Sequence, residues 1–113
     1  MGKLGCIVID CADADRASEF WGQALEGCTV NKQEWGVTMT SQSDPLIYFE
    51  VVPEGKTVKN RLHLNIRAAD RKSEVTRLAD LGAKVVEEKS AGEGFRWTNM
   101  LDVEGNEFCV SQA

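Results

Sequence analysis

Arg61-Leu-His-Leu-Asn-Ile-Arg67 is the stretch on which the fold turns. Leu62, Leu64 and Ile66 fall on one face and His63, Asn65 and Arg67 on the other. That two-residue period predicts a strand over 61–68 with its aliphatic face on a hydrophobic core. The polar face holds the chain's single histidine beside an amide and a guanidinium. A solvated strand face more often carries Lys, Glu and Thr. The set therefore reads as the wall of a cavity, with a plain exposed sheet face as the competing reading.

Downstream of this strand, Asp70 is placed to cap a helix over 70–82, with Val75, Leu78, Ala79 and Leu81 on one face and Gly82 at its end. Strands are expected at 83–88, 95–101 and 107–112, with a loop at 90–94 and a hairpin turn at 102–106. Upstream the same order appears. A strand over 4–11 leads to Asp13 as N-cap and an amphipathic helix over 14–25, built on Ala17, Phe20, Trp21, Ala24 and Leu25, with Gly27 just beyond it. Gly22 inside that helix costs about 1 kcal/mol relative to alanine, which its apolar face must offset. Strands follow at 28–32, 35–40 and 46–52, the last bracketed by Pro45 and Pro53.

The chain is therefore a tandem repeat of β-α-β-β-β. Cys6–Asp13 aligns without gaps on His63–Asp70, and Phe49-Glu50-Val51 aligns on Phe108-Cys109-Val110 at an offset two residues longer. Only Pro53–Thr57 lies between the modules, 1–53 and 58–113, so they are expected to share a single domain of α+β class. The length of 113 residues, with 42% hydrophobic and 27% charged, suits one soluble globular domain. A net charge of −5 argues against nucleic acid or an anionic membrane as partner, and Lys56, Lys59 and Arg61 are too few to reverse that. No apolar run reaches membrane-spanning length, and no secretory signal is expected. Cys6, Cys11, Cys28 and Cys109 form no CxxC pair, which suits reduced thiols in a cytoplasm.

Strand parity then gathers the chemistry. Ile7 and Ile9 should meet the first helix, leaving Cys6 on the opposite face; Ile47, Phe49 and Val51 should do the same, leaving Tyr48 and Glu50. Phe108 and Val110 are the core pair of the last strand, leaving Glu107, Cys109 and Ser111, with Glu107 read as hairpin surface. Cys6 with Glu50, and His63 with Cys109, are thus projected from equivalent points on the faces away from the helices. Trp35, Tyr48 and Trp97 are candidates for an aromatic lining, while Trp21 belongs to the core.

Taken in order, Ile7–Asp13 with Phe20-Trp21, Lys56–Asn65, Leu81-Gly-Ala83 and Asp102–Cys109 resemble the vicinal oxygen chelate superfamily of glyoxalases, extradiol dioxygenases and bleomycin-resistance proteins, and its small glyoxalase-like members most of all. The resemblance covers nearly the whole chain. It implies two βαβββ modules whose curved mixed sheets enclose a ligand cavity, often completed by a homodimer. It also implies metal-ligand slots on the first and last strand of each module, which here hold Cys6, Glu50, His63 and Cys109. Only Glu50 and His63 match the usual ligand types. Thiols suit zinc or copper better than magnesium, manganese or ferrous iron, so the expected protein carries no catalytic metal, with a divalent metal at these four residues as the alternative. Cys6 and Cys109 are equally readable as small wall fillers.

The expected function is binding or sequestering a small molecule, aromatic ones included, through Cys6, Trp35, Tyr48, Asn65, Arg67, Trp97 and Cys109. The alternative is a lyase or isomerase with Glu50 and His63 as acid and base; Glu50 is also readable as the ion-pair partner of Arg61 or Arg67. A third reading is a dimerising module whose cavity is filled by its own side chains.

Overall fold

In each half an aspartate turns a strand into a helix. Asp13 and Asp70 both hold extended backbone (φ −133° and −130°), and their carboxylates accept the amide N–H of Arg16 and of Ser73, each at 3.1 Å. Those bonds satisfy donors that the first helical turn leaves open. The computed structural model describes residues 1–92 and 94–113; Glu93, within the expected loop at 90–94, lies outside the described residues. The chain divides into two compact units, Met1–Gly55 and Lys56–Ala113.

The first unit runs β1 (Cys6–Cys11), α1 (Ala14–Ala24), β2 (Thr29–Gln33), β3 (Gly36–Thr40) and β4 (Leu46–Val51). Its sheet has the order β1-β4-β3-β2, with β1 parallel to β4 and the other neighbours antiparallel. Val37 is level with Phe49 and Met39 with Ile47, so these four share one face. All are buried, as are Ala17, Phe20, Trp21 and Ala24 of α1, which packs against β2, β3 and β4. Phe20 and Trp21 meet edge to face at 5.3 Å between ring centres.

The second unit repeats this as β5 (Leu64–Ala68), α2 (Arg71–Asp80), β6 (Lys84–Ala91), β7 (Phe95–Leu101) and β8 (Glu107–Gln112), in sheet order β5-β8-β7-β6. Its core is smaller: Ile66, Leu78, Ala83, Met100, Phe108 and Val110. Arg71, in the position that Ala14 holds in the first unit, is buried between α2 and the sheet. Its guanidinium donates to Thr98 Oγ1 at 2.6 Å and to Glu88 at 2.7 Å. A buried guanidinium at the start of a helix opposes the helix dipole, so these partners must hold it there.

The doubled βαβββ order is as expected from sequence, with local departures. The opening strand is shorter: β5 begins at Leu64, His63 precedes it, and Leu62 is 88% exposed. The chain ahead of it is tied to β8 by a side chain instead: the Glu107 carboxylate, next to Phe108 where the β5 ladder starts, accepts the Asn60 N–H at 2.9 Å and the Lys56 ammonium at 2.9 Å. That latch takes the chain off the sheet before Leu64. It also makes Glu107 an anchor rather than free hairpin surface. Val51, expected on the helix side, is 61% exposed at the last residue of β4, and Ala79 is exposed on α2. β6 runs three residues past its expected end, to Ala91, with an irregularity between Val85 and Glu87.

Register also corrects the repeat. Ile9 is level with Phe49, and Ile66 with Val110, so Phe49 corresponds to Val110 and not to Phe108. Tyr48 then corresponds to Cys109, and Glu50 to Ser111. A slip of two residues preserves which face each side chain occupies but changes its position along the strand.

Candidate functional site

In both units one face of the sheet packs on the helix and the other carries the candidate residues. On the first unit's helix-free face, Cys6 is level with Leu46, Val8 with Tyr48, and Asp10 with Glu50. Cys6 and Glu50 are therefore four residues apart along a parallel pair, about 13 Å, and the sheet does not bring them together. Tyr48 sits centrally, half-buried and level with Thr38 on β3. Trp35, in the β2–β3 turn and 63% exposed, meets the Tyr48 ring edge-on at 6.0 Å. The Tyr48 ring lies over Gly36; a methyl group there would stand 2.9 Å from a ring carbon, so only a residue without Cβ fits beneath the ring in this position. The Glu50 carboxylate is exposed and makes no ion pair among the described residues.

On the second unit's helix-free face, two rows cross the sheet. Asn65, Cys109, Asn99 and Glu87 form one; Arg67, Ser111, Trp97 and Lys89 form the next. Asn65 ties the rows together: its Nδ2 donates to the Cys109 thiol sulfur at 3.0 Å and its Oδ1 accepts the Ser111 hydroxyl at 3.0 Å. Cys109 and Ser111 are buried, whereas Asn65 and Arg67 are exposed. Trp97 is half-buried and packs at 5.4 Å against Phe95, their planes 44° apart. His63 is exposed at the edge of this face, just before β5. Ser111, Asn99 and Lys89 were not picked out as site residues from sequence; for Ser111 the signal was available, since it shares the parity of Cys109.

Two titratable groups outside these rows are shifted. Burial works against the charge of Glu107, but the Asn60 N–H and Lys56 outweigh it and hold the carboxyl below its ordinary range. Cys28, at the start of the β2 region, has its thiol pushed up by burial and then by the nearby Asp44 carboxylate.

Within each unit the residues do not fit the divalent-metal ligand slots that the resemblance implies. Cys6 and Glu50 stand too far apart along their strands, the Cys109 sulfur is buried and engaged by Asn65, and the Glu107 carboxylate is taken by Lys56 and Asn60. Among the described residues of either unit, no three His, Cys, Asp or Glu side chains gather as a ligand set. The four cysteines are free thiols. No helix among the described residues is long and apolar enough to cross a membrane.

Solved structures share the architecture across the whole chain. They include a glyoxalase/bleomycin resistance protein/dioxygenase family enzyme from Burkholderia phytofirmans (16% identity, 98% of each chain, TM-score 0.79). A genomically encoded fosfomycin resistance protein from Listeria monocytogenes aligns at 12% identity over 100% of this chain and 94% of its own, with TM-score 0.75. A bleomycin resistance determinant encoded on the transposon Tn5 aligns at 13% identity over 98% of each chain, with TM-score 0.66. At these identities the likeness is one of fold. No curated protein matches in sequence. A family profile described as glyoxalase-like domain matches residues 6–111, and the doubled βαβββ order found here agrees with it: the chain belongs to the glyoxalase-like domain family.

Proposed function

We propose that the protein binds a small organic molecule on the helix-free faces of its sheets and does so without a divalent metal. The observation that carries this reading is that each sheet turns a half-buried aromatic ring, Tyr48 or Trp97, out of the face that its helix leaves open, with a second ring beside it. Rings held this way offer apolar contact at little entropic cost, and the neighbouring amides and hydroxyls supply direction. The buried, hydrogen-bonded Cys109 thiol serves as wall rather than ligand. Two fold relatives are named for antibiotic resistance, which makes antibiotics a natural part of the test panel.

The test is a thermal-shift screen of small molecules, run with divalent metals and with chelator. Ligand-dependent stabilisation that survives chelator, and that Tyr48→Leu or His63→Ala weakens, is the expected result. A large loss of melting temperature on chelation, or stoichiometric metal in protein purified without it, refutes the metal-free reading. A second reading, a lyase or isomerase using Glu50 and His63, is favoured by their side chains being exposed and free of ion pairs among the described residues. Turnover of a bound ligand that Glu50→Gln abolishes, with binding retained, selects it.

We also propose pairing with a second copy along β6. It is an edge strand in which every residue is exposed, Val85 and Val86 among them, and such an edge is a template for further strand pairing. Light scattering at micromolar concentration that returns a monomer mass refutes this.

A further inference from the structure

We infer that the second unit's helix-free face selects a planar aromatic monoanion, its ring on Trp97 and its acid group on Arg67; this rests on the small-molecule reading above. Arg67, Ser111, Trp97 and Lys89 stand level across four adjacent strands, so the row has a fixed order: guanidinium, hydroxyl, indole, ammonium. Strands lie about 4.8 Å apart, which puts Arg67 and Trp97 about 10 Å apart at the backbone. Between them in the row stands Ser111, a small side chain that is itself buried. A bicyclic ring lying on Trp97 brings a carboxylate on its edge within reach of the Arg67 side chain.

The charges on this row decide the sign and number of the ligand's charge. Lys89 is already engaged by Glu87 at 3.2 Å. Arg67 makes no ion pair or side-chain hydrogen bond among the described residues and is exposed. One unspent cation remains, and it is the side chain whose paired N–H groups match a carboxylate. Next to it, the Ser111 proton is committed to Asn65 Oδ1, so the hydroxyl is not a competing donor for the anion. The ring half of the site is equally specific. Phe95, 52% exposed and tilted against Trp97, widens the platform beyond what one indole offers. Aliphatic acids would leave that surface wet.

The matching row of the first unit has the opposite charge. Asp10 holds the place of Arg67, and Glu50 that of Ser111. An anion is therefore selected by the second unit's face alone.

Calorimetry with three probes that share one ring system tests this: 2-naphthoate, its neutral amide, and the corresponding naphthylmethylammonium. The acid is expected to bind at least about tenfold more tightly than the amide, the worth of a hydrogen bond to a charged partner. Arg67→Gln should erase that preference while leaving the melting temperature unchanged, since Arg67 is exposed. Trp97→Leu should weaken acid and amide alike. Equal binding of acid and amide, preference for the cation, an acid preference that survives Arg67→Gln, or no binding of any probe overturns the inference. The thermal-shift panel separates the two levels. Hits that are all neutral or cationic sink this inference and leave the broader reading standing; a panel without hits sinks both.

Discussion

Gly22 lies inside α1, where glycine costs about 1 kcal/mol relative to alanine, and the structure supplies the reason for it. A Cβ built there would stand 2.9 Å from Val30 Cγ2 on β2, closer than carbon atoms normally approach. Gly22→Ala thus sets two effects against each other: a helix-propensity gain of about 1 kcal/mol and an overpacking cost of about 1–3 kcal/mol. The net expectation is a loss of about 0–2 kcal/mol, where an unobstructed helix site would gain. In a Val30→Ala background the obstruction is gone, and the same substitution should stabilise by about 1 kcal/mol. The coupling between the two sites is then about 1–3 kcal/mol and favourable to the double variant. Urea unfolding followed by far-ultraviolet circular dichroism gives all four corners of the cycle, provided that the slope with denaturant stays constant. Stabilisation by the same amount in both backgrounds would refute the claim that close helix–strand contact keeps alanine out of this position.

Arg71→Met keeps the apolar stem but removes the guanidinium from Thr98 and Glu88; with Thr98 buried and Glu88 able to turn to solvent, a loss of about 2 kcal/mol is expected in urea unfolding. Glu107→Gln should cost about 1 kcal/mol at neutral pH by loosening the Lys56–Asn60 latch. Because the folded-state carboxyl is held below its ordinary value of 4.5, the stability that it contributes is present above that pH and is lost as pH falls through the lowered folded value. The stability difference between wild type and Glu107→Gln should therefore shrink on acidification, which unfolding midpoints between neutral and acid pH will show. A thiol-reagent time course on native protein should find Cys6 and Cys28 accessible and Cys11 and Cys109 protected, with Cys28 slowed by its raised thiol pKa; fast reaction of all four would contradict the packing.

The parts of the fold that could be read from sequence are those fixed by local chemistry. Asp13 and Asp70 announce their helices because an N-cap carboxylate acts within three residues. Alternating aliphatic residues announce a strand's buried face because the pleat has a period of two. What such signals cannot give is the position of one strand along another. Phe49-Glu50-Val51 and Phe108-Cys109-Val110 look alike, yet register pairs Ile9 with Phe49 and Ile66 with Val110. Both alignments satisfy parity, so composition alone cannot choose between them; inter-strand hydrogen bonding does. This slip has chemical weight. It replaces the expected equivalence of Glu50 and Cys109 with one between Glu50 and Ser111, and it separates Cys6 from Glu50 by four residues of strand. One expected pair, Cys6 with Glu50, comes apart along its strands, while Arg67 and Trp97, named singly from sequence, fall into one row. Leu62 failed for a related reason. Its alternation with Leu64 and Ile66 is genuine, but the segment before Leu64 is tied to the Glu107 carboxylate through Asn60 and Lys56 and does not continue the ladder. Arg71 was missed because a cation at a helix start reads as solvated surface until its partners, Thr98 and Glu88, are brought in by strands that lie far along the chain. In this fold, then, residue type and parity determine the face on which a side chain works, and long-range register determines which other side chains it works with.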